Sequence, residues 1–182
     1  MHIQKVKLFF ILFLLMYSSY VHLYGQGNIT CNGSWDLVIS SSDMLGGAGS
    51  NLNSTYTSAS DQVLIGVWQL YWLGFGTGSR TWNWAVDVNR SGGTWHGDFV
   101  LSVRRTGSGT SDDTYSITDG TNYQPISTIQ TELFQGTLSG SGFLLLFLNA
   151  DDIPVQYQLS GVSATIPANN YSTTIVYTVR DN

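Results

Sequence analysis

The chain has 182 residues, with 7 lysines and arginines against 12 aspartates and glutamates, 3 histidines and one cysteine. Both lysines, Lys5 and Lys7, fall within the first 25 residues, so the remainder carries five arginines, twelve acids and no lysine. That balance argues against nucleic acid and anionic lipid, which are held by clustered Lys and Arg, and the lone Cys31 excludes an internal disulfide.

Lys5 and Lys7 precede the apolar run Leu8 to Met16, followed by small and polar residues. This is the layout of a secretory signal, and the run falls short of the roughly 20 apolar residues that span a bilayer. Residues 1–25 are therefore read as a signal peptide cut near Gly25 or Gly27, with a retained signal anchor as the competing reading. Residues 26–182 are expected to form one domain with no transmembrane segment, secreted or held at a cell surface. No lipobox precedes Cys31, which is read as a buried or disordered lone thiol or as a link between molecules.

Helix signals are nearly absent from this domain. Trp35, Leu37 and Ile39 alternate with Asp36, Val38 and Ser40 and predict a first strand. A long polar connection follows over residues 43–61, with a short helical turn near Asp43 to Leu45. From Val63 to Leu73 the chain is apolar on both faces, as in a central strand; a buried helix of that length is the competing reading. Gly74, Gly76 and Gly78 are expected to end it. Trp82, Trp84, Val86 and Val88 alternate with Asn83, Ala85, Asp87 and Asn89, giving one core face and one solvent face. With the Ser91-Gly92-Gly93 turn and Trp95, Phe99, Leu101 and Val103, residues 81–104 predict a β-hairpin. Further strands are predicted at about 114–118, 122–129, 131–138, 143–148 and 155–159, and a last one carries Tyr171, Thr173, Ile175, Tyr177 and Val179 on one face. Seven to ten short strands predict an all-β fold, an antiparallel sandwich of the immunoglobulin-like kind.

Chemistry is sparse in this pattern. His96 is the one histidine after residue 25, beside Asp98, with no Gly-x-Ser-x-Gly elbow in the chain. Asp112-Asp113 and Asp151-Asp152 lack the spacing of a calcium loop, and Gly74-x-Gly76-x-Gly78 precedes a strand rather than the helix of a phosphate cradle. No catalytic residue, metal ligand or cofactor is therefore expected, and the chain reads as a non-enzyme. The aromatics are the remaining candidates: Tyr71, Trp72 and Trp95, presented on an open sheet, could stack on a glycan or other ligand.

The order Ile153 to Gly161, then Ile166-Pro167-Ala168-Asn169-Asn170-Tyr171 leading into the alternating Thr173 to Val179, resembles the final hairpin of spore coat protein U-type domains, relatives of the chaperone–usher pilins. About the last 30 residues carry the likeness; Asn169 stands where glycine is usual, and one cysteine where a pair is common. The resemblance implies a surface structural subunit, pilin-like or coat-like, whose sandwich is completed by an extended segment of a neighbour, another surface protein or a periplasmic chaperone. A strongly apolar last strand at Tyr171, Thr173, Ile175, Tyr177 and Val179 then supplies the assembly edge. The sequence leaves a self-completed sheet as the competing outcome, with Trp35 to Ser40 or another internal strand closing the edge.

Overall fold

A computed structural model describes residues 27–46 and 50–182; the predicted signal segment lies outside them. Eight strands form one antiparallel sheet: β1 (Asn28–Asn32), β2 (Thr55–Thr57), β3 (Val63–Ser91), β4 (Val100–Arg105), β5 (Thr114–Thr118), β6 (Gln124–Pro125), β7 (Thr131–Ser160) and β8 (Thr174–Asp181). Apart from these, a 3-10 turn spans Ser41–Asp43, closed by a reciprocal pair of bonds between Ser40 and Asp43. The all-β expectation holds, with a strand number inside the expected range. No helix among the described residues is long and apolar enough to cross a membrane.

The sheet is organised by β3 and β7, which pair from Val63↔Val155 to Val88↔Thr131. In one half of this ribbon β1 joins β3, while β4 joins β7 and is itself followed by β6. In the other half β8 joins β3 and β5 joins β7. Both halves turn alternate side chains to one interior: Ile65, Val67, Leu148 and Val155 from the first, Trp84, Val86, Val88, Phe134 and Leu138 from the second. Burial of this alternation drives the fold, at about 25 cal/mol per Å² of apolar surface.

The ribbon bends where Trp72↔Leu145 gives way to Thr77↔Phe143. Gly74 has φ 75° and, opposite it, Leu144 has φ 65°. The left-handed region is open to glycine but costs a leucine about 1–2 kcal/mol. The doubling back is tight, since a Cβ on Gly142 would lie 2.6 Å from the Leu145 carbonyl oxygen.

Several sequence expectations are corrected here. The glycine run after Leu73 bends β3 instead of ending it, because its partner strand bends with it and the ladder resumes at Thr77. The strands expected at 131–138, 143–148 and 155–159 are one strand, β7, and the one expected at 122–129 shrinks to β6. Residues 81–104 are not a hairpin. Gly92 and Gly93, at φ 63° and 78°, do end β3, but β7 and β8 already occupy both of its edges there, so β4 pairs with β7 and β6. The expected strand over Trp35 to Ser40 is irregular, with Val38 86% exposed; β1, just before it, takes the edge of β3 instead. The core face of Trp82, Trp84, Val86 and Val88 is as expected, but its reverse side is not all solvent. Ala85 and Asp87 are buried, and the Asp87 carboxylate accepts from Arg180 Nε at 3.2 Å and Gln130 Nε2 at 2.9 Å.

Candidate functional site

An open cleft of about 1030 Å³ lies beside β8. Its floor is core: Val63, Leu101, Tyr157 and Leu159. One wall is β8, through Ile175 and Tyr177. The opposite side is the irregular segment of residues 33–41, and the chain over 162–173 closes one end. The cleft exists because β8 pairs only with β3 among the described residues. On its far side β8 meets no ladder partner, and the segment that sequence alternation assigned to close the sheet crosses the opening without one.

Aromatic contacts shape the interior. Trp35 stacks on Tyr157 with centroids 6.2 Å apart and planes 8° from parallel. The phenol oxygens of Tyr157 and Tyr177 are 2.8 Å apart, a hydrogen bond joining the two halves of the sheet. At the closed end Phe99 meets Tyr171 edge to face at 5.0 Å, His96 meets Tyr171 at 6.0 Å, and Trp95 meets Phe99 at 5.5 Å. Trp95 donates its indole N–H to the Phe99 carbonyl at 3.2 Å, and the Arg90 guanidinium lies 5.4 Å from its ring. His96 sits 3.7 Å from the Asp98 carboxylate. Asp36 is the only acidic residue lining the cleft, and no Lys or Arg lines it among the described residues.

Of the residues singled out in the last strand, Tyr171, Thr173, Ile175 and Tyr177 all line the cleft. Tyr171 and Thr173 precede β8 proper, and the Thr173 hydroxyl lies 3.4 Å from the Gly92 carbonyl oxygen. Val179 packs against the core farther along β8. Trp95 lines the cleft too, whereas Tyr71 and Trp72 lie elsewhere. They are successive residues of β3 and face opposite sides: Tyr71 packs on the core and bonds Gln69, while Trp72 is exposed. The three do not share one face. Trp35, Phe99 and Tyr157 were missed as site residues, because alternation assigns them to strands without saying that an edge stays open beside them. Cys31 is free and exposed on β1 at the cleft rim, not buried.

Burial raises the Tyr157 phenol to about 12, partly offset by its bond to Tyr177, and burial followed by the proximity of Tyr157 raises Tyr177 well above 10. A phenol with a raised folded value contributes stability that is complete below pH 10 and is lost as pH climbs through 12. Urea unfolding is therefore expected to give a level free energy up to about pH 9.5 and a fall of about 2 kcal/mol from Tyr157 toward pH 12, with Tyr177 acting in the same direction. A profile flat to pH 12 would show that this pair is not buried.

Comparison with known proteins finds no matching family model, no matching curated protein and no matching solved structure.

Proposed function

We propose that the chain is an exported structural subunit of a cell surface that joins its neighbours by β-strand addition along the open edge of β8. One observation carries the reading: an unpaired strand edge borders a long cleft with an apolar floor. An added strand would bond to the free main-chain groups of β8 and drop alternate side chains onto Val63, Leu101 and Leu159. The resemblance of the C-terminal residues to coat-type domains supports it, and the immunoglobulin-like completion of the sandwich belongs to the same proposal. The donor is an extended segment of a second copy, another surface protein or a chaperone. The role is assembly, not catalysis.

The exported protein is to be mixed with a synthetic peptide of residues 26–42, whose Trp35, Leu37 and Ile39 alternate. Peptide at 100 times its dissociation constant stabilises by about 2.7 kcal/mol, a rise of roughly 5–10 °C in Tm. No rise at large peptide excess, in a protein of monomeric mass, overturns strand addition between copies of this chain.

A second reading has its own observation. The cleft, near the upper volume of small-ligand sites, gathers Trp35, Trp95, Phe99, Tyr157 and Tyr171, a lining suited to a glycan or an apolar ligand. Saturable quenching of tryptophan emission by polysaccharide, without stabilisation by the peptide, would favour it.

A further inference from the structure

The bend of the β3–β7 ribbon carries a second surface, remote in sequence from the β8 edge. Outward-facing residues of the two strands meet there. Leu70 lies opposite Phe147 and Trp72 opposite Leu145, Trp68 contacts the Phe147 ring at 5.6 Å, and Trp72 meets Phe75 edge to face at 6.1 Å. Phe75 is 88% exposed, Phe143 64%, Phe147 50%, Leu145 48% and Trp72 39%. With large side chains presenting roughly 200 Å² each, these five leave about 600 Å² of apolar surface in water. That is as large as the largest patch of an ordinary monomer, which is often functional. It also belongs to the charge-free parts of an acidic chain: residues 62–79 and 133–150 contain no Asp, Glu, Lys, Arg or His.

We infer that this corner is a homotypic docking surface, at which two copies of the chain meet across a two-fold axis. The area fits, since two such patches buried together remove about 1,200 Å² from water, above the roughly 1,000 Å² that a specific interface needs. The charge pattern fits as well. Copies of an acidic protein repel over most of their surface, and a neutral apolar patch is where they approach at least electrostatic cost. The backbone argues against a bilayer as the occupant. Among the described residues no strand pairs with the outer edge of β3 from residue 69 to 82, or with that of β7 from 140 to 148. Carrying Phe75 and Phe143 into hydrocarbon would take unpaired N–H and C=O groups with them, which lipid cannot satisfy. A second protein surface leaves those edges in water or pairs them. The strained Leu144 lies between Phe143 and Leu145 in the centre of this patch, and backbone strain of this kind collects at functional positions.

The exported protein is to be followed by sedimentation over a range of concentrations, beside the double variant Phe75→Glu/Phe143→Glu. Both residues are exposed, so the variant is expected to unfold at the wild-type temperature. The wild type is expected to reach the mass of a dimer, and the variant to dimerise at least tenfold more weakly. A wild type that stays monomeric up to its solubility limit overturns the inference, as does a variant that dimerises normally. Flotation of the wild type, but not the variant, with phosphatidylcholine vesicles in place of a dimer would assign the patch to membrane and overturn it too. The inference stands apart from strand addition. A dimer dissolved by excess peptide of residues 33–42 yet kept by the variant places the contact at β8 and refutes the corner. A dimer indifferent to the peptide but lost in the variant supports the corner, whatever becomes of the β8 reading.

Discussion

Trp84→Ala is expected to lower the unfolding free energy by about 4 kcal/mol, within the range for deleting a buried Trp, and to lower Tm by roughly 8–16 °C. The indole is fully buried at the centre of the core. It stacks on Tyr115 at 6.5 Å with planes 9° apart, meets Phe134 edge to face at 6.1 Å, and touches Trp82 at 6.1 Å. Space for it is made by the residue opposite in the ladder, Gly136, where a Cβ would come within 2.5 Å of the Trp84 ring. Removing the ring leaves a cavity walled by strands that cannot close in, because β3 and β7 are held by their own ladder. The indole N–H has no hydrogen-bond partner among the described residues, so Trp84→Phe discards an unsatisfied donor while keeping most ring contacts. Its expected cost is less than half that of the alanine variant. Urea denaturation of both variants checks the pair. An alanine variant losing under 1 kcal/mol would mean that the core is not built around this ring.

Arg105→Ala is expected to cost about 3 kcal/mol, the effect of stripping buried acceptors of a charged donor together with its packed stem. The side chain lies at the end of β4, only 7% exposed. Its Nε and Nη2 donate to the Asp119 carbonyl at 3.2 and 2.9 Å, and Nη1 to the Gly107 carbonyl at 2.8 Å. Its own N–H donates to the Gly120 carbonyl at 2.6 Å. Asp119 and Gly120 both have positive φ, so a single guanidinium ties a strained turn and the 107–108 loop to one strand. Lysine keeps the charge but cannot reproduce the planar fork, so Arg105→Lys should retain more than half of the loss. Hydrogen exchange at residues 107–109 and 119–120 should quicken before the global transition changes. A lysine variant as stable as the wild type would refute the fork argument.

What was legible in the sequence follows the range of the physics involved. Side-chain alternation along a strand is local, since successive residues must face opposite sides. Trp82, Trp84, Val86 and Val88 could therefore be assigned to the core, and Tyr171, Thr173, Ile175 and Tyr177 to one shared face, without knowing any partner. Trp35, Leu37 and Ile39 show the limit of the same rule. Their alternation is as regular, but alternation does not say whether a segment pairs, and this one crosses the cleft beside the β8 edge without a ladder partner. Tyr71 and Trp72 could have been separated by the same rule, being adjacent on one strand.

An all-β chain with its core-facing positions already marked was determined by the sequence alone, because composition and a two-residue period are properties of neighbours along the chain. The tertiary structure decided that Gly74 to Gly78 bend a 29-residue strand instead of ending it, that β4 leaves β3 for β7, and that β8, beside a cleft, pairs only with β3 among the described residues. Each of these depends on which distant strand occupies an edge first. Partner choice is settled by long-range pairing and burial, and no local pattern records it.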